Sequence, residues 1–153
     1  MKWRPKDIEM YISSKEYVDT VLLPLTGVEF GGGILQSASM NDFLMILTNE
    51  IEKQFKGRVL LLPPITYSCG WSREEKRLMI EKWKGTLEKE EFRHLFFITS
   101  DAEWKALDSL LGDSLLWVPA LPLEHMDAKH KGPLMEDQVS QVLKKIVENW
   151  KKE

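Results

Sequence analysis

Five side chains in this sequence have the chemistry for a site: Glu29, Cys69, Asp101, His125 and His130. Glu29 stands just before Gly31-Gly32-Gly33, and a carboxylate there would serve as a metal ligand or general base. The glycines would let backbone N–H groups approach an anion, helped by the positive end of the helix that follows. Cys69 lies between Ser68 and Gly70, shortly ahead of a helix, a position that lowers a thiol pKa and suits a nucleophile. His125 would be its base if their loops meet. Glu29, Asp101, His125 and His130 together carry enough oxygen and nitrogen donors for zinc or manganese.

Each of these residues also has an ordinary reading. Glu29 reads equally as a solvated carboxylate, and the glycine run as a loop needing unusual backbone angles. Cys69 reads as an unreactive thiol, and His125 and His130 as exposed loop residues. No pair shows a tight ligand spacing on one helix, and the chain has no G-x-G-x-x-G and no G-x-x-x-x-G-K-[ST]. No resident metal or cofactor is expected. The expected ligand-binding set is Glu29, Gly31, Gly32, Tyr67, Cys69, Asp101 and His125, with no catalytic residue assigned.

The elements that must position these residues follow from pattern. Pro5 suits a first helical turn, and Ile8, Tyr11 and Ile12 share one face. An apolar strand runs from about Thr20 to Leu25 and stops at proline. Ser39 with Asp42 has the form of a capping box, ahead of a stripe of Phe43, Leu44, Leu47, Ile51 and Phe55 that ends at Gly57. A second strand over 58–62 ends at Pro63-Pro64, and Ile65 to Trp71 reads as a loop. Ser72 with Glu75 predicts a helix that breaks at Gly85. A third strand, Leu95 to Thr99, leads to a third box at Ser100 and Glu103, whose helix closes at Gly112. A fourth strand covers Leu115 to Val118. A loop with His125, Asp127 and His130 then runs to Gly132-Pro133, and a last helix carries Val139, Val142, Leu143, Ile146 and Trp150 on one stripe.

Strands alternating with capped helices predict an α/β fold: one domain over 1–153, three layers, doubly wound around a mostly parallel sheet of about four strands. Ligands in such sheets bind beyond the carboxyl ends of the strands. That rule selects the loops holding Thr26 and Glu29, Tyr67 and Cys69, Ser100 and Asp101, and His125; His94 precedes its strand and falls at the opposite edge.

Composition narrows the partners. A net charge of −3 without a dense Lys/Arg run argues against nucleic acid. No apolar run approaches the ~20 residues of a membrane span, and the charged N-terminus is no signal peptide. The single cysteine fits a reducing compartment, so a cytoplasmic protein is expected. Six tryptophans are expected mostly in the core, although Trp is also enriched on partner surfaces.

From Trp3 to about Thr86 the chain resembles the creatininase family of metal-dependent amidohydrolases. Leu23-Pro24 and Glu29-Phe30-Gly31-Gly32 stand where that family has an apolar strand ending in Leu-Pro and then Glu-x-His-Gly. Leu62-Pro63-Pro64-Ile65-Thr66-Tyr67 is similar to its Pro-Pro-x-x-Tyr-Gly loop, and Gly85-Thr86-Leu87 echoes its Gly-Thr-Ile segment. Gly31 replaces the first histidine ligand, and Thr99 to Glu103 replaces Asn-Gly-His-Gly-Gly-Asn. Only Glu29 remains of the ligand set, and one carboxylate does not hold a dinuclear site. The resemblance thus implies the fold without the chemistry. Taken whole, the chain looks like a member of a small group of short cytoplasmic proteins of spore-forming Gram-positive bacteria, classed as a domain of unknown function.

The expected function is a non-catalytic binding or accessory role with a small molecule or protein partner, and self-association, as the creatininase resemblance implies. The alternatives are a metal-dependent amidohydrolase with a rearranged site and an anion or nucleotide-binding module using Gly31 to Gly33.

Overall fold

The computed structural model describes residues 1–152; residue 153, the last of the expected domain, lies outside them. Five strands form one parallel sheet: β1 (Thr20–Val28), β2 (Val59–Leu61), β3 (Ile65–Ser68), β4 (His94–Thr99) and β5 (Leu115–Trp117). The order is β2-β1-β4-β5, and β3 pairs with the second half of β1 on the side where β2 pairs with the first. Helices α1 (Pro5–Ser13), α2 (Ile34–Gln54), α3 (Arg73–Glu88), α4 (Asp108–Leu111) and α5 (Ala128–Trp150) cover it.

Strand alternation divides the core between two faces. Val21, Leu23 and Leu25 of β1 pack with Ile80 and Leu87 of α3, Trp104, and Ile8 and Tyr11 of α1. Leu22 packs the other way, with Phe43, Leu44, Leu47 and Ile51 of α2 and Val139, Val142 and Ile146 of α5. The result is the expected α/β domain with helices on both faces of the sheet.

The first strand does not stop at its proline. β1 runs through Pro24 to Val28, and Ile65 to Ser68, expected as loop, is a strand. The reason lies in backbone direction. The Leu22 carbonyl accepts from the Leu62 N–H and the Val28 carbonyl from the Cys69 N–H. Even positions of β1, Pro24 included, therefore present their polar groups to β2 and β3. From Leu22 to Leu25 β1 advances three positions, while its partner advances four, from Leu61 to Ile65. The extra residue is a bulge holding Pro63-Pro64. Prolines face each other across a gap in the ladder where none has an N–H to lose.

Three helix boundaries also differ from expectation. α2 starts at Ile34 with Gly33 as its cap, so Ser39 lies inside the helix and bonds Glu124 at 2.6 Å instead of capping. Its first turn exposes Ile34 and Leu35, which left no apolar stripe to read. α3 passes through Gly85 to Glu88, because Leu87 is buried beyond it. The segment after β4 winds as a 3₁₀ turn over Ala102–Leu107, and its cap is Asp101, whose Oδ1 accepts from the Glu103 N–H at 3.1 Å. The Ser72–Glu75 capping box is present with both hydrogen bonds, and Gly112 takes φ +52° past α4, as a helix stop does.

The amino edge is clamped by Trp150. Its Nε1 donates to Thr20 Oγ1 at 2.9 Å, and the Arg58 guanidinium lies 3.7 Å over its ring. Arg58 in turn holds both oxygens of Asp19, at 2.9 and 3.1 Å. These contacts bring the far end of α5 back to the start of β1.

Candidate functional site

The carboxyl ends of β1, β3 and β4 meet as the strand rule requires. Tyr67, in β3, points into the core between the sheet and the 3₁₀ turn and is buried. Its hydroxyl donates to Asp101 Oδ2 at 2.6 Å and accepts from Trp104 Nε1 at 2.6 Å. The Tyr67 and Trp104 rings meet edge to face, with centroids 5.2 Å apart. Burial, then the Asp101 bond, pushes the phenol far above its ordinary value, against the opposing pull of Trp104. The hydroxyl stays protonated and both of its bonds are internal.

Gly27 makes this packing possible. A Cβ added there would sit 2.8 Å from both the Tyr67 hydroxyl oxygen and the Cys69 sulfur. The Gly27 carbonyl accepts from Ser37 Oγ at 2.7 Å and Asn41 Nδ2 at 2.8 Å, so α2 is pinned to the end of β1. A glycine inside a strand is the sequence signal of such an approach.

Cys69 joins the same cluster. Burial raises its thiol pKa, with Asp101, Glu29 and Glu103 raising it further and Lys76 opposing them. The expectation of a thiol activated by its helix is not met, because burial first, and then the nearby carboxylates, outweigh the Lys76 ammonium. Lys76 is itself buried, 2.9 Å from Glu103 Oε2 and 3.2 Å from the Cys69 carbonyl.

Glu29 turns back on its own loop and accepts from the Gly33 N–H at 3.3 Å. Its carboxylate thus fills the N-terminus of α2, the place an anion would take in the glycine loop. Gly31 and Gly32 are exposed beside it.

His125 does not join this cluster. It ends a 3₁₀ turn over Leu123–His125, side chain largely exposed and 3.8 Å from Glu124, whose carboxylate Ser39 ties to α2. His130 is not in a loop. It lies in the first turn of α5, where Asp127 caps the helix and holds His130 Nδ1 at 2.7 Å. Glu29, Asp101, His125 and His130 are each engaged with a different partner. Among the described residues no group of three His, Cys, Asp or Glu side chains is placed to hold a metal ion.

An apolar concavity is lined by other residues. A groove of about 740 Å³ runs along the sheet edge between α1, α3 and the β2–β3 bulge, with Trp3, Tyr11, Trp83 and Phe92 among its walls. A volume of that order takes a small organic ligand. A second, charged cleft of about 490 Å³ adjoins it, sharing Tyr11 and Glu90. Sequence reasoning missed both. The available signal was the tryptophan excess: Trp104 alone among the described tryptophans is fully buried, while Trp3, Trp71 and Trp83 are 57%, 40% and 36% exposed. The expectation that most of the tryptophans lie in the core is corrected accordingly.

A parallel, open α/β sheet with a closed polar cluster at its carboxyl end and an apolar groove at its edge defines the class. The chain belongs to the family described as protein of unknown function DUF2487, whose model matches residues 9–150. It is 30% identical over 152 residues to the uncharacterized protein YpiF of Bacillus subtilis (strain 168), covering 98% of each chain. No solved structure matches. No helix is long and apolar enough to cross a membrane among the described residues.

Proposed function

We propose that this chain is a non-catalytic binding protein, an accessory component of the cytoplasm, whose ligand occupies the groove between α1, α3 and the β2–β3 edge. The carrying observation is that groove: about 740 Å³ with a wall of aromatic and aliphatic side chains. The carboxyl rim supports the non-catalytic half of the reading. Tyr67 is engaged by Asp101 and Trp104, Lys76 by Glu103 and the Cys69 carbonyl, and the Cys69 thiol is raised, not lowered. A reduced creatininase-like ancestry accounts for Leu23-Pro24 within β1, Glu29 just past its end and Pro63-Pro64 after β2, with the metal ligands gone. The single cysteine suits a reducing compartment.

The test uses a neutral fluorescent apolar probe, N-phenylnaphthylamine, with the full chain. Thr86 is an exposed wall residue on α3, so Thr86→Trp fills the groove without touching the core. Saturable binding lost in Thr86→Trp is expected. Binding unchanged by that substitution would place the ligand elsewhere and overturn the proposal.

A further inference from the structure

The groove carries one more piece of information, in its charge. Among the described residues Glu90 is the one charged residue in a wall otherwise built from aromatic, aliphatic, proline and threonine side chains. Four rings accompany it, those of Trp3, Tyr11, Trp83 and Phe92. Aromatic faces attract cations through their quadrupole, most strongly where water is excluded, and a carboxylate adds a full opposite charge.

The chain already shows this chemistry at the groove. Lys15 Nζ lies 5.7 Å over the Tyr11 ring, and Tyr11 stacks on Phe92 with centroids 6.0 Å apart. Glu90 and Tyr11 line both cavities together, and burial first, then the Glu90 charge, holds the phenol above its ordinary value. The basic residues nearby, Lys15, Lys89 and Arg93, line the adjoining cleft, where the four carboxylates Glu16, Asp19, Glu90 and Glu91 oppose their three charges. Among the described residues no positive side chain lines the groove itself.

Resting on the groove as the binding site, we infer that its ligand is an organic cation, an alkylated or protonated amine on an apolar body. The body fills the aliphatic floor formed by Leu60, Leu62 and Leu87, and the ammonium lies among the rings toward Glu90.

Three probes of one length separate charge from hydrophobicity: hexyltrimethylammonium, 1-hexanol and hexanoate, titrated by calorimetry into the full chain and its Glu90→Gln variant. Glu90 is exposed, so the variant folds. The cation binds about tenfold tighter than hexanol, and Glu90→Gln removes most of that advantage while leaving hexanol unchanged. Equal affinities for all three, or tighter binding of hexanoate, would overturn the cation preference and leave the groove as an apolar site. Binding of none of the three, in a chain that also fails to bind the neutral fluorescent probe, would remove the groove reading as well.

Discussion

The Tyr67 hydroxyl donates to the Asp101 carboxylate across 2.6 Å, joining the end of β3 to the turn after β4. The same oxygen accepts from Trp104, so two residues of the turn after β4 depend on one atom of β3. Tyr67→Phe leaves a buried indole N–H without its acceptor and Asp101 without its donor. The expected loss is about 1–3 kcal/mol, read as a shift in urea midpoint with an unchanged slope. A loss near zero would mean the three residues are held independently.

Gly27 is the second point of sensitivity. Gly27→Ala drives a methyl into Tyr67, which is locked by Trp104 and Asp101, and into Cys69. Overpacking at such a site costs about 1–3 kcal/mol. In the double variant Gly27→Ala with Tyr67→Phe, the costs are expected to fall short of additive, since both act on the same ring and its hydroxyl. Strict additivity in denaturant titrations would show that Tyr67 is not the obstacle.

Acid stability follows from Asp7. Its carboxylate accepts from the Lys2 N–H at 2.7 Å and lies 3.2 Å from Arg4. The Lys2 bond is the main reason its pKa falls below the ordinary 3.8; burial opposes it and Arg4 assists. A depressed folded pKa gives stability that is present above the ordinary value and lost as pH falls through the folded one. Asp7→Asn should therefore lower Tm at pH 7, and the gap should narrow as pH falls below the ordinary 3.8 and close below the lowered folded value. A gap that persists unchanged in acid would show that the charge of Asp7 contributes nothing.

The Arg58 clamp predicts a failure of conservative exchange. Arg58 both holds Asp19 through two nitrogens and stacks on Trp150. Lysine reproduces neither geometry. Arg58→Lys should cost about 1 kcal/mol and speed amide exchange in the last turn of α5. Exchange unchanged there would detach Trp150 from the role given to it.

What the sequence discloses and what it hides differ by physical cause. The α5 stripe from Val139 to Trp150 and the Ser72–Glu75 box are local patterns, and both are present in the fold. The passage of β1 through Pro24 is hidden, because a proline is harmless only where the partner strand bulges, at Pro63-Pro64. His130 reads as a loop residue because Gly132-Pro133 looks like a break, whereas Asp127 caps a helix that includes Pro133. Tyr67, Cys69 and Asp101 could be picked out because strand ends converge in an open sheet. Trp104 and Lys76 join them through tertiary packing alone, and the groove exists only where α1, α3 and the β2–β3 edge meet.

The most direct test of groove binding watches the tryptophan indole N–H signals in a ¹H–¹⁵N spectrum during titration with hexyltrimethylammonium. Trp3 and Trp83 line the groove, while Trp104 is bonded to Tyr67 at the carboxyl rim. Saturable shifts of Trp3 and Trp83 with Trp104 unmoved are predicted. Shifts centred on Trp104, or none at all, would contradict the account.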